Sequence, residues 1–400
     1  MKRYGNDFAI LGGQKTFLEP VGTSSLFRPD FQTFLDYSKR FFTAKQYTNN
    51  GPLVLELEKR LADFHEAKYC VAFCSGFWAM VLTIDALKLP GREEVVIPSL
   101  TYRRLADLVA WSGLKPRFCE VDPNTLAGTA ESAADVINEN TALIIGVHPI
   151  INCCDVDGLI SLSKKTGIPL LMDSVESVYE KTKHGRVGSI AHVEAFSMHA
   201  SKLINGAEGG YITTSDINLC DRLKLTRAFG LNGPIEVKEA CGMNAKLNEM
   251  HAALALASLD SLEELVDHNC DIYHCYSDLI TDIPGLRLVR FDEKFRTSYK
   301  NIVLEILDEW PLSRDVTVKI LNSENVLARC YYYPALHQKP MAYPHVISEL
   351  PITDSLSERF ILMPSGFMVT KAQVLGVISL LKAVSLYSEA LEEYFVKGAA

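Results

Sequence analysis

The chain has 400 residues, 48% of them hydrophobic and 22% charged, with a net charge of −9 at pH 7; this is enough apolar material for a large core and enough length for one large domain with a smaller one, or two similar ones. The charge is spread along the chain with no Lys/Arg-rich block, which argues against DNA or RNA as a partner. The N-terminus turns polar at Gly5-Asn6-Asp7 and no run of about eighteen apolar residues occurs, so a soluble, cytoplasmic protein without a membrane span is expected.

In chain order, helical periodicity runs from Pro52 to Phe64, with Leu53, Leu55, Leu57 and Leu61 as its apolar positions and Glu56, Glu58, Lys59 and Arg60 as its exposed ones. Short apolar runs at Tyr69–Phe73, Glu94–Ile97, Ala142–Val147, Pro169–Met172 and Gly210–Thr214 predict strands buried on both faces. Strand, helix, strand in repetition predicts an α/β fold with a mostly parallel central sheet. One helix is predicted from about Glu249 to Cys275, followed by less regular segments with strand candidates at Leu286–Val289 and Asn301–Ile306, and a last amphipathic helix from about Lys371. The chain therefore divides into a large domain over residues 1–262, N-terminal arm included, and a smaller α+β domain over residues 263–400, with Lys397-Gly398-Ala399-Ala400 as a frayed end.

In such a sheet a ligand lies beyond the carboxyl ends of the strands. The residues there are Cys74-Ser75-Gly76, Pro98 through Tyr102, His148-Pro149 and Asp173-Ser174. Asp173 closes an apolar strand, where a carboxylate is costly to bury unless a cation meets it. Lys202 follows twenty-nine residues on, after the strand end at Phe196-Ser197 and before Glu208-Gly209-Gly210. A lysine in such a place readily becomes the neutral amine that Schiff-base chemistry needs. Together the two suit pyridoxal 5′-phosphate, whose pyridine nitrogen a carboxylate keeps protonated; singly, the Asp reads as a cap and the Lys as surface. Ser75-Gly76, at the start of a helix over Phe77 to Leu87, offers amides for a phosphate and equally an ordinary N-cap. Tyr102 is placed to stack on a flat cofactor or to fill core. Arg103 and Arg104 suit a diphosphate, although solvated surface is the default for such a pair.

Ten cysteines are scattered, without the dense spacing of a secreted disulfide scaffold and without a CxxC pair, as expected of reduced thiols. His268, Cys270, His274 and Cys275 crowd one helical stretch, but His268 and Cys275 stand about 10 Å apart along the axis, so no metal site is expected there.

The chain resembles the DegT/DnrJ/EryC1/StrS sugar aminotransferases, pyridoxal-phosphate enzymes of the aspartate-aminotransferase fold (fold type I). The likeness rests on Asn49-Asn50-Gly51-Pro52-Leu53, Ile97 through Tyr102, Phe118 through Pro123, Phe196 through Lys202 with Glu208-Gly209-Gly210, and Asn244 through Glu249. Within the family it is similar to TDP-4-keto-6-deoxyglucose 4-aminotransferases, through Asn244-Ala245-Lys246, His199-Ala200-Ser201-Lys202 and Ala328 through Pro334. The resemblance implies that Lys202 is the Schiff-base lysine and proton shuttle and that Asp173 pairs with the pyridinium. It further implies that Tyr102 stacks on the ring, that Glu176 lies beside the ring hydroxyl, and that Ser75, Gly76 and Ser197 bind the phosphate. Asn244 matches a position that reaches the phosphate from the other subunit, which implies a homodimer with shared sites. Arg103, Arg104, Arg329, Tyr331 and Tyr332 are the substrate-side candidates.

Three departures stand out: bulky Phe77-Trp78 after Ser75-Gly76, Pro149-Ile150-Ile151 after His148, and Arg103-Arg104 after Tyr102. The expected activity is transamination from L-glutamate, through pyridoxamine phosphate, to a 4-keto-6-deoxyhexose on a nucleotide, giving a 4-amino-4,6-dideoxy sugar. A 3-keto sugar or keto-cyclitol is the alternative substrate, and a non-catalytic sensor or structural protein that binds the same cofactor is the alternative of another class. A sugar dehydratase is disfavoured, because dehydratases of this family lack the lysine.

Overall fold

The computed structural model describes residues 2, 4–22, 28–240 and 242–397; residues 398–400 of the expected frayed end lie outside the described residues. Helices α1 (Phe31–Ala44) and α2 (Pro52–His65) precede the first strand. Strand and helix then alternate as β1 (Tyr69–Phe73), α3 (Gly76–Leu87), β2 (Glu94–Pro98), α4 (Leu105–Trp111), β3 (Lys115–Cys119), α5 (Ala130–Ala134), β4 (Thr141–Val147), α6 (Val156–Thr166) and β5 (Leu170–Asp173). A short hairpin, β6 (Lys181–Thr182) with β7 (Gly185–Arg186), leads to β8 (Val193–Ser197) and β9 (Gly210–Thr214). Helix α7 (Ile217–Thr226) and a second short hairpin, β10 (Leu231–Asn232) with β11 (Glu236–Val237), follow.

Seven of these strands form one sheet in the order β1-β9-β8-β5-β4-β2-β3. All neighbours from β8 to β3 are parallel, and β9 runs antiparallel between β8 and β1. Every residue of β2, β4, β5 and β9 is buried, because helices cover both faces; that is why these strands read as unbroken apolar runs. Edge strand β3 carries Lys115, Pro116 and Arg117 instead, with Lys115 and Arg117 paired to Glu93 (2.7 Å) and Glu94 (2.6 Å). Charges and proline on an edge protect it from further pairing and hide its strand character from a hydrophobicity reading.

The remaining elements are α8 (Glu249–Asp260), α9 (Leu262–Ile280), β12 (Leu286–Leu288), β13 (Ile302–Ile306), α10 (Arg314–Ser323), β14 (Arg329–Cys330), α11 (Pro351–Ser357), β15 (Phe360–Met363), α12 (Lys371–Leu386) and α13 (Ser388–Lys397). A four-stranded antiparallel sheet, β12-β13-β15-β14, shares a core with α9 and α12 through Tyr276, Leu304, Ile361, Val377 and Leu381. No single described helix is long and apolar enough to cross a membrane.

Two expectations are corrected. The single helix over Glu249–Cys275 is two, broken at Ser261. Helix α8 lies against α2 in one core, through Ala252, Ala253, Ala255 and Leu256, whereas the later turns of α9 bury Ile272, Tyr273 and Tyr276 against the second sheet; a straight helix could not serve both. On α2, Glu58 is buried rather than exposed and Leu55 is 53% exposed. Glu58 accepts from the amide of Ala72 (2.8 Å) and pairs with the buried Arg227 (2.5 Å), so a charge satisfies β1 where the helical pattern alone would place solvent.

The start of α2 shows how distant segments close on one another. Its N-cap is Gly51, which has no side chain to offer, and its first-turn amides would be orphans. The carboxylate of Glu249, fully buried at the start of α8, accepts from Leu53 N (2.7 Å) and Val54 N (3.1 Å) instead. Glu249→Ala would leave those amides buried and unsatisfied, a loss of about 2 kcal/mol. Urea denaturation should show it as a lowered midpoint with an unchanged slope.

Candidate active site

Asp173 is the last residue of β5 and pairs with Ala195 of β8. Beyond Ser197, where β8 ends, the chain folds back on itself: Met198 N donates to Gly209 O, Gly206 N to Met198 O and Lys202 N to His199 O, each at 2.8 Å. Lys202 is thereby returned to the end of the sheet where Asp173 lies. The Asp173 side chain is 6% exposed and accepts from Val175 N at 3.2 Å; among the described residues it makes no ion pair. Burial pushes its carboxyl up to about 6, against the weaker pull of that amide and of the Lys202 charge.

Glu176, in the turn after β5, holds two ammonium groups. Lys202 donates to Oε1, and Lys300 donates to Oε2 at 2.7 Å. Burial opposes ionisation of Glu176, but the two cations outweigh it and hold the carboxyl far below the ordinary range. For Lys202, burial favours the neutral amine, yet Glu176, with help from Asp173, keeps the amine above its usual pKa. Lys300, buried just before β13, is lowered: desolvation and the like charge of Lys202 prevail over Glu176. Sequence reasoning missed Lys300. Its only signal was a lone cation between Tyr299 and Asn301 at the edge of an apolar run, which ordinarily marks surface.

On the β1 side, Ser75 caps α3, its Oγ accepting from Trp78 N at 3.2 Å. A Cβ built on Gly210 would lie 2.4 Å from Gly76 Cα, and one on Gly76 would lie 3.0 Å from Ser197 Cβ. The first turn of α3 therefore rests directly on the end of β8 and the start of β9, with its amides at the same end of the sheet as Asp173. Ser197 Oγ accepts from His199 N at 3.2 Å. Phe77 packs edge-on against Trp78 (5.1 Å between ring centroids), and Trp78 against Trp111 of α4 (5.3 Å).

Tyr102, 47% exposed in the turn before α4, lies within electrostatic reach of Lys202. Tyr332 senses Glu176, Asp173 and Tyr102, so a residue from the second sheet's side joins the cluster. Its backbone has φ +41°, a costly conformation for an aromatic residue, of the kind found at functional sites. Tyr331 is buried against it, ring centroids 4.9 Å apart. The arginines are not drawn in. Arg104 pairs with Asp107 at 2.5 Å, the carbonyl of Arg103 accepts from Lys339, and Arg329 is exposed on β14. Among the described residues, no hydrogen bond or ion pair links these three to Asp173, Glu176 or Lys202. Asn244 is exposed, although its neighbour Ala245 accepts from Cys74 N (2.8 Å) beside Ser75. At the end of β4, burial pulls His148 down to about 4, and its neutral ring accepts from Cys154 N at 3.2 Å.

These residues fit pyridoxal phosphate. A buried carboxylate short of partners suits a pyridinium, glycines let two backbones close on a phosphate-sized anion at a helix start, and an amine lies at the same end of the sheet.

The profile of the DegT/DnrJ/EryC1/StrS aminotransferase family matches residues 31–382. The dTDP-4-amino-4,6-dideoxy-D-glucose transaminase of Escherichia coli is 27% identical over 351 residues, 86% of this chain and 93% of that protein. GDP-perosamine synthase of Vibrio cholerae is 25% identical over 340 residues, 84% of this chain and 91% of that one. The crystal structure of DesI in the presence of its TDP-sugar product matches with a TM-score of 0.89 at 28% identity, covering 99% of both chains. The chain thus belongs to the DegT/DnrJ/EryC1/StrS aminotransferase family, an enzyme of amino-group transfer for which that family implies pyridoxal 5′-phosphate as cofactor.

Proposed function

We propose that the protein moves an amino group from L-glutamate to C4 of a 4-keto-6-deoxyhexose carried on a nucleoside diphosphate, giving a 4-amino-4,6-dideoxy sugar. The observation that carries the chemistry is the convergence of Asp173, Lys202 and the Gly76–Gly210 cradle on one end of the sheet. The substrate class is supported by relatives named for 4-amino-4,6-dideoxy sugars and for perosamine, and by a structural neighbour with a TDP-sugar product.

Bound here, the cofactor supplies an electron-accepting ring that makes the carbon bearing the amino group acidic. Asp173, which burial deprives of solvation, holds the proton of the ring nitrogen. The amides of the first turn of α3, with Ser75, Gly76 and Ser197, take the phosphate, and Asn244 serves the phosphate of a second copy of the chain. Tyr102 lies on the ring face and Glu176 beside the ring hydroxyl. Lys202, once neutral, would take the proton from the donor carbon and pass it to the bound cofactor in the first half of the cycle, and in the second half would take a proton back from the cofactor and give it to the acceptor carbon. Tyr331 and Tyr332 border the sugar, and Arg103, Arg104 and Arg329 offer charge to the diphosphate from the exposed rim. Residues 1–262 act as the cofactor domain and residues 263–400 as the smaller one, in a cytoplasmic homodimer.

Lys202→Ala should abolish both turnover and the visible absorption of the pure protein; full transamination in that variant would overturn the assignment. Offered glutamate with a panel of keto-sugar nucleotides and free keto-cyclitols, the enzyme should aminate the former, and amination of a cyclitol alone would refute the nucleotide reading. Asp173 gives a pH signature. Its folded pKa is raised, so its contribution to stability is present below the ordinary carboxylate value and is lost as pH rises through about 6. Cofactor-free Asp173→Asn should therefore be more stable than the parent at pH 8 by about 1–3 kcal/mol and equal to it at pH 4, while inactive; denaturant titrations at the two pH values check this.

A further inference from the structure

The loop between β2 and α4, residues 99–104, carries Tyr102 and has neither helix nor strand geometry. It is held by a distant segment, the one that follows β14. Leu336 N donates to Ser99 O (2.9 Å), His337 N donates to Ser99 Oγ (3.1 Å), and the Lys339 ammonium donates to Arg103 O. Ser99 Oγ also stands 2.7 Å from His337 Nδ1, and His337 Nε2 lies 2.9 Å from Asp354 Oδ1 on α11. With Nε2–H donated to Asp354, Nδ1 accepts the Ser99 hydroxyl proton, and both ring nitrogens are satisfied. Ser, His and Asp in a row are the side chains of a hydrolase triad. Here Ser99 is fully buried and its Oγ already accepts from His337 N, so the row is a tie and not a nucleophile. We propose that His337 is a positioning residue for the cofactor: by tying Ser99 to Asp354 it fixes the 99–104 loop and so sets the Tyr102 ring where the pyridine ring lies. The proposal rests on the reading that Tyr102 stacks on that ring, not on which sugar accepts the amino group.

A free loop would lose about 1–2 kcal/mol of backbone entropy per residue on closing over a ligand. Order imposed during folding removes that loss from the binding step. The tie has a firm footing at its far end. Glu120, just beyond β3, accepts from Ile352 N (3.0 Å) and Thr353 N (2.8 Å) at the start of α11, so the helix that presents Asp354 is fastened to the strand beside β2. Leu336, next to His337, is buried in the same core as Leu105 and Phe118. Tyr331 and Tyr332 begin the segment that His337 belongs to, so the stretch that pins the Tyr102 loop also carries the aromatic residues reaching the cluster from the second sheet's side.

The test uses cofactor-free protein and pyridoxamine 5′-phosphate, which binds without a covalent bond to the chain, followed by fluorescence titration. His337→Ala and Ser99→Ala should each raise the Kd about three- to tenfold, the size of one aromatic stack. Asp354→Ala should follow them, and Asp354→Asn, which keeps an acceptor for Nε2–H, should restore binding. Amide exchange in residues 99–107 should quicken in the weakened variants, with exchange in β4 and β5 unchanged. In a Tyr102→Ala background, His337→Ala should add little to the Kd. A full effect persisting there would mean that His337 acts by another route, and it overturns the proposal; so does unchanged affinity in folded His337→Ala. Should that variant not fold, Ser99→Ala and Asp354→Ala carry the same test. Failure of His337→Ala and Ser99→Ala to fold, with Asp354→Ala binding as the parent does, would assign the tie to stability alone and likewise overturn it. Parental affinity in Tyr102→Ala would remove the stacking reading and this proposal together, whereas a weakened Tyr102→Ala beside an unweakened His337→Ala removes the proposal alone.

Discussion

The parallel register between β5 and β8 is the constraint from which the site follows. With Met172 opposite Glu194 and Asp173 opposite Ala195, β5 stops while β8 continues to Ser197, so one strand ends in a carboxylate and the next runs on into the loop that carries Lys202. A shift of one residue would turn Asp173 to the other face of the sheet. The fold secures this register from both sides. Ser174 N donates to Ala195 O (2.9 Å) and His148 N to Asp173 O (3.0 Å), and Glu194, buried within β8, accepts from Ser174 Oγ, Gly188 N, Ile190 N and Ala191 N at 2.8 to 3.0 Å.

Glu194 belongs to a set of buried carboxylates that act as connectors. Glu249 caps α2, Glu58 joins β1 to Arg227, and Glu324 holds the N-terminal arm through Ala9 N (2.7 Å), Thr16 N (2.7 Å) and Thr16 Oγ1 (2.8 Å). Each exchanges the solvation lost on burial for several donors in fixed positions. Asp173 does not: it is as buried as these and keeps one amide. Beside these described carboxylates Asp173 is short of donors, the pattern that sets functional carboxylates apart from structural ones. The strained backbone at Tyr332 and the two lysines crowded on Glu176 are of the same kind, costly locally and sustained by the two cores around them.

The contribution of the second sheet is chemical as well as structural. Lys300 and Tyr332 flank strands β13 and β14, and they bring a cation and a phenol to a cluster whose other members all belong to the first sheet. Two separately packed cores thus contribute residues to one cluster.

Much of this was legible in the order of residues. Strands β1 and β9 are where the apolar runs place them, Asp173 closes β5, Lys202 follows β8, and Gly76 opens α3, because periodicity and turn chemistry are local; that Gly210 packs on Gly76 was not legible. Edge strand β3, the break at Ser261, buried Glu58 and above all Lys300 were not legible, since each depends on a partner far along the chain. The sequence by itself determined which groups are available and near which strand ends they fall. Only the tertiary structure decided which charges meet, because a lysine reads as surface until folding removes its water and supplies a carboxylate 124 residues away.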